Sequence, residues 1–257
     1  MTGSTSPGPA RVRRVVTTRR GGRSTGPYGD FNLGEHVGDD PAAVAANRAR
    51  LAAATGLSGR MVGMDQVHGD RVAVVRAPAI RSVPGADGLV TDVPGLGLLV
   101  LAADCVPILA GDTGARVVGA AHAGRLGAAA GVALRLLETM TGLGARVAAV
   151  DVLLGPAICG QCYEVPTALR DEVEAALPGS ASRTRWGTPG VDVRAGLARQ
   201  LAGAGVPTVR IDPRCTFTDA ELYSHRRATL AAGAPGAGPP VTGRQGGLVW
   251  LDPDRRR

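Results

Sequence analysis

The chain contains no lysine; all 29 of its basic residues are arginine. That excludes a lysine Schiff base and a phosphate-binding loop of the lysine-bearing type. A compositional bias that also raises alanine and glycine accounts for the absence. Aromatic residues make up only 3%, too few for the stacking platforms that hold single-stranded nucleic acid. The formal net charge of +7 suits small anions as well as nucleic acid. With so few aromatics, the expected partners are small molecules and not nucleic acid. Long apolar runs are also missing. The longest, residues 96–103, is too short to cross a bilayer, so no membrane span is expected. Residues 1–10 lack the apolar segment of a secretory signal and read as a disordered tail, and a cytoplasmic location is expected. Four cysteines in 257 residues cannot form a disulfide scaffold, so free or metal-bound thiols in a reducing compartment are expected.

What is present reads as one domain, residues 11–257, with enough apolar content for a substantial core. Residues 11–18 predict a first strand, followed by a glycine-rich loop through Gly34. Residues 40–55 predict a helix with Asp39 or Asp40 as its N-cap, Pro41 in its first turn and Gly56 as its stop. Residues 60–67 and 71–75 read as strands. Residues 96–109 read as one long strand buried on both faces. A turn at 111–114 and a returning strand at 116–121 follow. Helices are expected at 127–140, 167–176 and 193–204, and strands at 147–154 and 206–211. Residues 231–247, rich in alanine, glycine and proline, read as a mobile loop before a short edge strand at 249–251.

Three candidate metal ligands stand beside glycines or strand ends: His68, Cys105 and His122. If the hairpin turns at Asp112 and Thr113, Cys105 faces Ala120 and His122 lies two residues further on the same face. Such diagonal neighbours are roughly 7 Å apart at Cβ, close enough to share an ion. One thiolate and two imidazoles suit zinc, and three protein ligands leave a position open for water or substrate. On spacing alone, a buried structural cysteine and a metal-free cysteine–histidine nucleophile stay open as alternatives. His-Glu-x-x-His and deaminase-type His-x-Glu signatures are absent. Cys159-Gly-Gln-Cys162 has no second pair and no nearby histidine, and it is read as loop or core cysteines.

Taken together, many ordered segments resemble one family. They are Thr18-Arg19-Arg20-Gly21-Gly22, Asn32-Leu33-Gly34, Gly38-Asp39-Asp40, Asn47-Arg48, Gln66-Val67-His68-Gly69, Ala86-Asp87-Gly88 and Ala103-Asp104-Cys105-Val106-Pro107. His122-Ala123-Gly124, Gly155-Pro156-Ala157-Ile158, Cys162-Tyr163-Glu164-Val165 and Gly243-Arg244 complete the series. The chain resembles the YfiH or laccase-domain family. That resemblance implies an α/β (α+β) layered sandwich, with central mixed sheets covered by helices in a cysteine-hydrolase-like arrangement. It implies a metal site at His68, Cys105 and His122, holding zinc or, alternatively, copper. It also implies a purine nucleoside phosphorylase acting on adenosine, inosine and methylthioadenosine, with adenosine deaminase activity. The family's other associations are copper-dependent phenol oxidation and editing of peptidoglycan precursors.

Two departures from the family pattern stand out. Where the family usually reads His-Ala-Gly-Trp-Arg-Gly, this chain has His122-Ala123-Gly124-Arg125-Leu126-Gly127. The loop before Gly243-Arg244 is also longer than usual. Phosphorolysis needs a held phosphate, and guanidinium groups clamp phosphate bidentately. Arg19, Arg48 and Arg125 are therefore the expected phosphate contacts. Asp104, beside the cysteine, is placed either to orient a ligand or to cap a strand end. Tyr163 and Glu164 suit contacts to a sugar or plain packing.

Overall fold

The computed structural model describes residues 11–79, 81–233 and 240–252. In chain order its strands are β1 (Val12–Val16), β2 (Met61–Val62), β3 (Val72–Val74), β4 (Gly88–Thr91), β5 (Gly97–Ala102), β6 (Val106–Asp112), β7 (Val117–Ala123), β8 (Asp151–Leu154), β9 (Ala181–Arg183), β10 (Pro189–Val191), β11 (Thr208–Ile211) and β12 (Gln245–Leu251). Its helices are α1 (Pro41–Thr55), α2 (Arg125–Ala129), α3 (Val132–Gly142), α4 (Thr167–Ala176), α5 (Val193–Gly203) and α6 (His225–Ala232). One sheet has the order β1-β12-β5-β2, and a second has the order β11-β8-β6-β7-β4-β3. Both mix parallel and antiparallel pairs.

Strands with two apolar faces explain the layering. Successive strand residues point to opposite faces, so a strand apolar throughout must be covered twice. Leu98 and Val100 of β5 meet Leu109, Val118 and Val249 between the two sheets. The alternate residues Leu99 and Leu101 pack instead against Leu51 of α1 and Leu57 just after it. On the far side, Ile108 and Ala121 pack against Leu136 and Met140 of α3 and Leu197 of α5. The result is a helix, two sheets and a second helical layer, the mixed α/β sandwich expected. α1 begins and ends as its sequence predicts: Asp40 accepts from Ala42 N, and Gly56 takes a left-handed φ of 72°.

Several expectations are corrected. Residues 96–109 are two strands in different sheets, because the chain turns between them at Asp104, whose φ is +98°. The Asp104 carbonyl accepts from Ile158 N, and its carboxylate from Thr216 Oγ1 and Arg226 N, which hold the turn in place. The helix expected at 127–140 is divided into α2 and α3 by Gly131 at φ +92°. The strand expected at 60–67 shrinks to β2 and a bridge at Met64, since Gln66 and His68 both have positive φ. Residues 147–149 form a 3₁₀ turn before β8. The edge strand expected at 249–251 is a fully buried central strand that starts at Gln245, inside the expected loop. Its glycines are needed there: a Cβ on Gly246 would lie 2.8 Å from Leu33 Cδ1. The expected tail and residues 234–239 of the expected loop lie outside the described residues.

Candidate metal centre and cleft

Three neighbouring strands deliver most of the cluster. β7 lies between β4 and β6, and their registers set Ala121 opposite Gly88 and His122 opposite Pro107. Asp87 therefore adjoins His122 on one side, and Cys105, two residues before Pro107, lies on the other. The expected hairpin register placed Ala103 opposite His122. The observed connection is longer, with Asp112 paired to Val117 and its Oδ1 accepting from Gly114 N and Ala115 N. The register moves by an even number of residues, so the side-to-side pattern that brings Cys105 near His122 survives. His68 arrives from the loop between β2 and β3. The Gln66 side-chain amide fastens that loop by donating to Leu101 O and accepting from Leu101 N.

The donor atoms of His68, Cys105 and His122 lie within 4.8 Å of one another. Cys105 Sγ is 3.8 Å from His68 Nε2, and the two imidazoles meet edge to face with centroids 4.7 Å apart. Asp87 organises this arrangement and is fully buried. Its carboxylate accepts from His68 N at 2.9 Å, Gly69 N at 2.8 Å and His122 Nδ1 at 3.0 Å. Engaging Nδ1 of His122 leaves Nε2 free as the ligand atom, the usual way a carboxylate orients a metal-binding histidine. Gly124 leaves the space this requires, since a Cβ there would stand 2.6 Å from His68 Cδ2 and 3.2 Å from Cys105 Sγ.

Electrostatics favour the charged forms. Burial pushes the Cys105 thiol up, but His122 and His68 outweigh it and bring the group down to about 6. Burial pushes His122 down, yet Asp87 and Cys105 raise it to about 9. Burial would raise Asp87, and the hydrogen bonds from His122, Gly69 and His68 bring it below the usual carboxylate range. A thiolate beside an imidazolium is thus favoured before any ion binds, and a metal cation would take over the charge that the imidazolium proton carries. Two nitrogens and one sulfur, a fixed tautomer and a glycine-lined space together fit a zinc ion with one face open.

That face opens onto a cleft of about 410 Å³, within the usual range for small-molecule sites. All four histidines of the chain line it: His36, His68, His122 and His225. Arg125, Arg226 and Arg244 line it as well. Among the described residues the Arg125 guanidinium has no hydrogen-bond or ion-pair partner. Arg226 donates to Glu164 O and lies over the Tyr163 ring. Arg244 donates to Thr242 O and Gly243 O, and Asn32 Oδ1 holds its backbone N–H.

The cleft does not include Arg19 or Arg48. Arg19 donates to Gly29 O, lies over the Tyr223 ring and borders a separate depression. Arg48 is taken up by Leu33 O and Glu35. Both guanidiniums hold the glycine-rich loop in shape. Asp104 bonds neither histidine; it fixes the turn before Cys105 through Thr216 and the first turn of α6. Sequence reasoning missed three features: the role of Asp87, the presence of Arg226 and Arg244 in the cleft, and the approach of Cys215 to Cys159 and Cys162. The thiols of those three cysteines also lie within 4.8 Å of one another.

Residues 13–252 match the family described as multi-copper polyphenol oxidoreductase laccase. The chain is 57% identical over 243 residues to a purine nucleoside phosphorylase of Mycobacterium tuberculosis, covering 94% of this chain and 93% of that one. It is 47% identical to a purine nucleoside phosphorylase of Streptomyces griseus, covering 96% and 98%. Its fold superposes on YlmD of Geobacillus stearothermophilus with a TM-score of 0.84 at 33% identity, covering 94% of this chain and 92% of that one. No helix among the described residues is long and apolar enough to cross a membrane. With nearly its whole described length matched, the chain belongs to the laccase-like YfiH family.

Proposed function

We propose that the protein is a zinc-dependent purine nucleoside phosphorylase acting on adenosine, inosine and methylthioadenosine, with adenosine deaminase activity in the same cleft. One observation carries this reading: the His68–Cys105–His122 cluster and an unpartnered guanidinium, Arg125, open onto a single cleft. The names of its relatives agree with it.

In phosphorolysis a phosphate oxygen bonds to C1′ of the sugar and the C1′–N9 bond breaks. The electron pair leaves on the purine, which takes up a proton. Arg125 is free to clamp the phosphate, and Arg244, which lines the same cleft, is the second contact in place of Arg19 and Arg48. Leu126, Ile158 and Tyr163 give the purine apolar and aromatic surface. In deamination water supplies the oxygen at C6 and ammonia leaves. A zinc ion held by His68, Cys105 and His122 supplies Lewis acidity at this end of the cleft. Phenol oxidation by several coppers fits less well, because the chain has four histidines and only two of them join the cluster.

The test is to incubate the purified protein with adenosine, with and without phosphate, and separate the products. Adenine release is expected only with phosphate, whereas inosine forms without it. Equal base release in phosphate-free buffer indicates a nucleoside hydrolase instead. No turnover by zinc-loaded protein favours a role on cell-wall precursors. Arg125→Ala is expected to raise the phosphate KM by about tenfold or more, the loss of one charge-assisted contact, while deamination changes little. A normal phosphate KM in that variant removes Arg125 from the site.

A further inference from the structure

The second group of thiols is built from three places in the chain. Cys159 and Cys162 lie in the turn after β8, and Cys215 follows β11. These strands are parallel neighbours at one edge of the six-stranded sheet. A bridge between Ala157 and Cys215 and a bond from Thr216 N to Ala157 O extend their contact. All three thiols lie within 4.8 Å of one another. Sulfurs about 2.3 Å from a shared zinc ion stand roughly 3.8 Å apart in tetrahedral geometry, so only small rotations separate this cluster from a ligand set.

Two N–H donors point at these sulfurs, while burial and the neighbouring sulfurs push the Cys162 thiol up, so a bound cation would displace its proton. Cys159 N donates to Cys215 Sγ at 3.4 Å. The Arg185 Nη2 donates to Cys162 Sγ at 2.9 Å. Three thiolates around a cation of charge two leave one negative charge, which this guanidinium offsets. A disulfide would use two of the sulfurs and leave the third unexplained.

We propose that Cys159, Cys162 and Cys215 form a second metal site, separate from the His68–Cys105–His122 cluster, which takes one thiophilic closed-shell ion, zinc(II) or copper(I). Its place in the fold gives it a purpose. Ile158 and Tyr163, beside Cys159 and Cys162, line the cleft. Thr216, beside Cys215, bonds the carboxylate of Asp104, and Ile158 N bonds its carbonyl. An ion on the three sulfurs ties this wall of the cleft to the turn that presents Cys105.

The test counts metal on the intact chain. The wild-type protein is expected to take up two equivalents of zinc. The Cys105→Ala and Cys215→Ser variants each take up one, and the double variant none. Cobalt(II) added to apo Cys105→Ala protein should give thiolate-to-cobalt charge-transfer absorption, which can come only from this cluster. That measurement holds even if Cys215→Ser fails to fold. Anaerobic titration of the same protein with copper(I) against a competing chelator separates the two ions. A folded Cys105→Ala protein that binds none of zinc, cobalt or copper(I) overturns the proposal. So does a non-reduced wild-type mass showing Cys159 or Cys162 locked in a disulfide.

Discussion

Changing Cys105 to alanine is expected to empty the His68–Cys105–His122 cluster of its ion and to stop purine turnover. Altering a group that only orients a ligand lowers metal affinity by about 10- to 100-fold, so loss of one of three direct ligands should exceed that range. If the ion contributes about 4 kcal/mol to the transition state, kcat falls roughly a thousandfold. Cys105 is the cleaner position because it is only partly buried. His122→Ala also strips the buried Asp87 carboxylate of its counter-charge, and part of its effect will be on folding. Elemental analysis in a Cys159→Ser, Cys215→Ser background counts this cluster alone. Full zinc occupancy there in the Cys105→Ala protein would reject the assignment.

Asp87→Asn is expected to be the most damaging change at a residue that does not itself touch the ion. The carboxylate serves two backbone N–H groups and one imidazole nitrogen without access to water. An amide of the same shape turns an NH₂ toward one of those donors. A buried donor left without an acceptor costs about 1–3 kcal/mol, or roughly 4–8 °C in Tm at the middle of that range for a chain of this size. Zinc affinity should fall about 10- to 100-fold as His68 and His122 lose their alignment. Asp87→Ala orphans all three donors and threatens the fold itself, so Asn is the informative substitution. Unchanged zinc affinity in Asp87→Asn would show that the ligands are held by their strands alone.

The sequence is legible where the physics is local. Asp40, Pro41 and Gly56 mark α1 because caps act within one turn. The layered fold follows from the family resemblance; the ligand trio is a candidate from residue type and hairpin register that the resemblance strengthens, and its donor atoms do converge. The break at Asp104 left no trace, because β5 and β6 share the same two-faced apolar pattern although they belong to different sheets. β12 was hidden by its own glycines, which weaken strand propensity but let the sheets approach. Asp87 stood in a recognised segment without a role, and the usable clue was that a ligand histidine needs an acceptor on its second nitrogen. Charge points to Arg19 and Arg48, but their partners are carbonyls and Glu35 brought near by folding. Cys215 lies 53 positions after Cys162, and only the pairing of β8 with β11 unites them.

The place of β12 has a consequence for how the protein is made. It joins β1 to β5, so residue 12 pairs with residue 251 across almost the whole chain. Contacts of such long sequence separation are slow to form. On the ribosome, β1 and β5 emerge early but have no common neighbour until residue 245 appears. Until then each presents an unpaired edge, open to other nascent chains. The layer that carries Gln66 against Leu101, and through it His68, cannot close before β12 has been made. The His68–Cys105–His122 cluster therefore depends on β12, and a ribosome that stops before residue 245 is expected to leave its three donors unassembled.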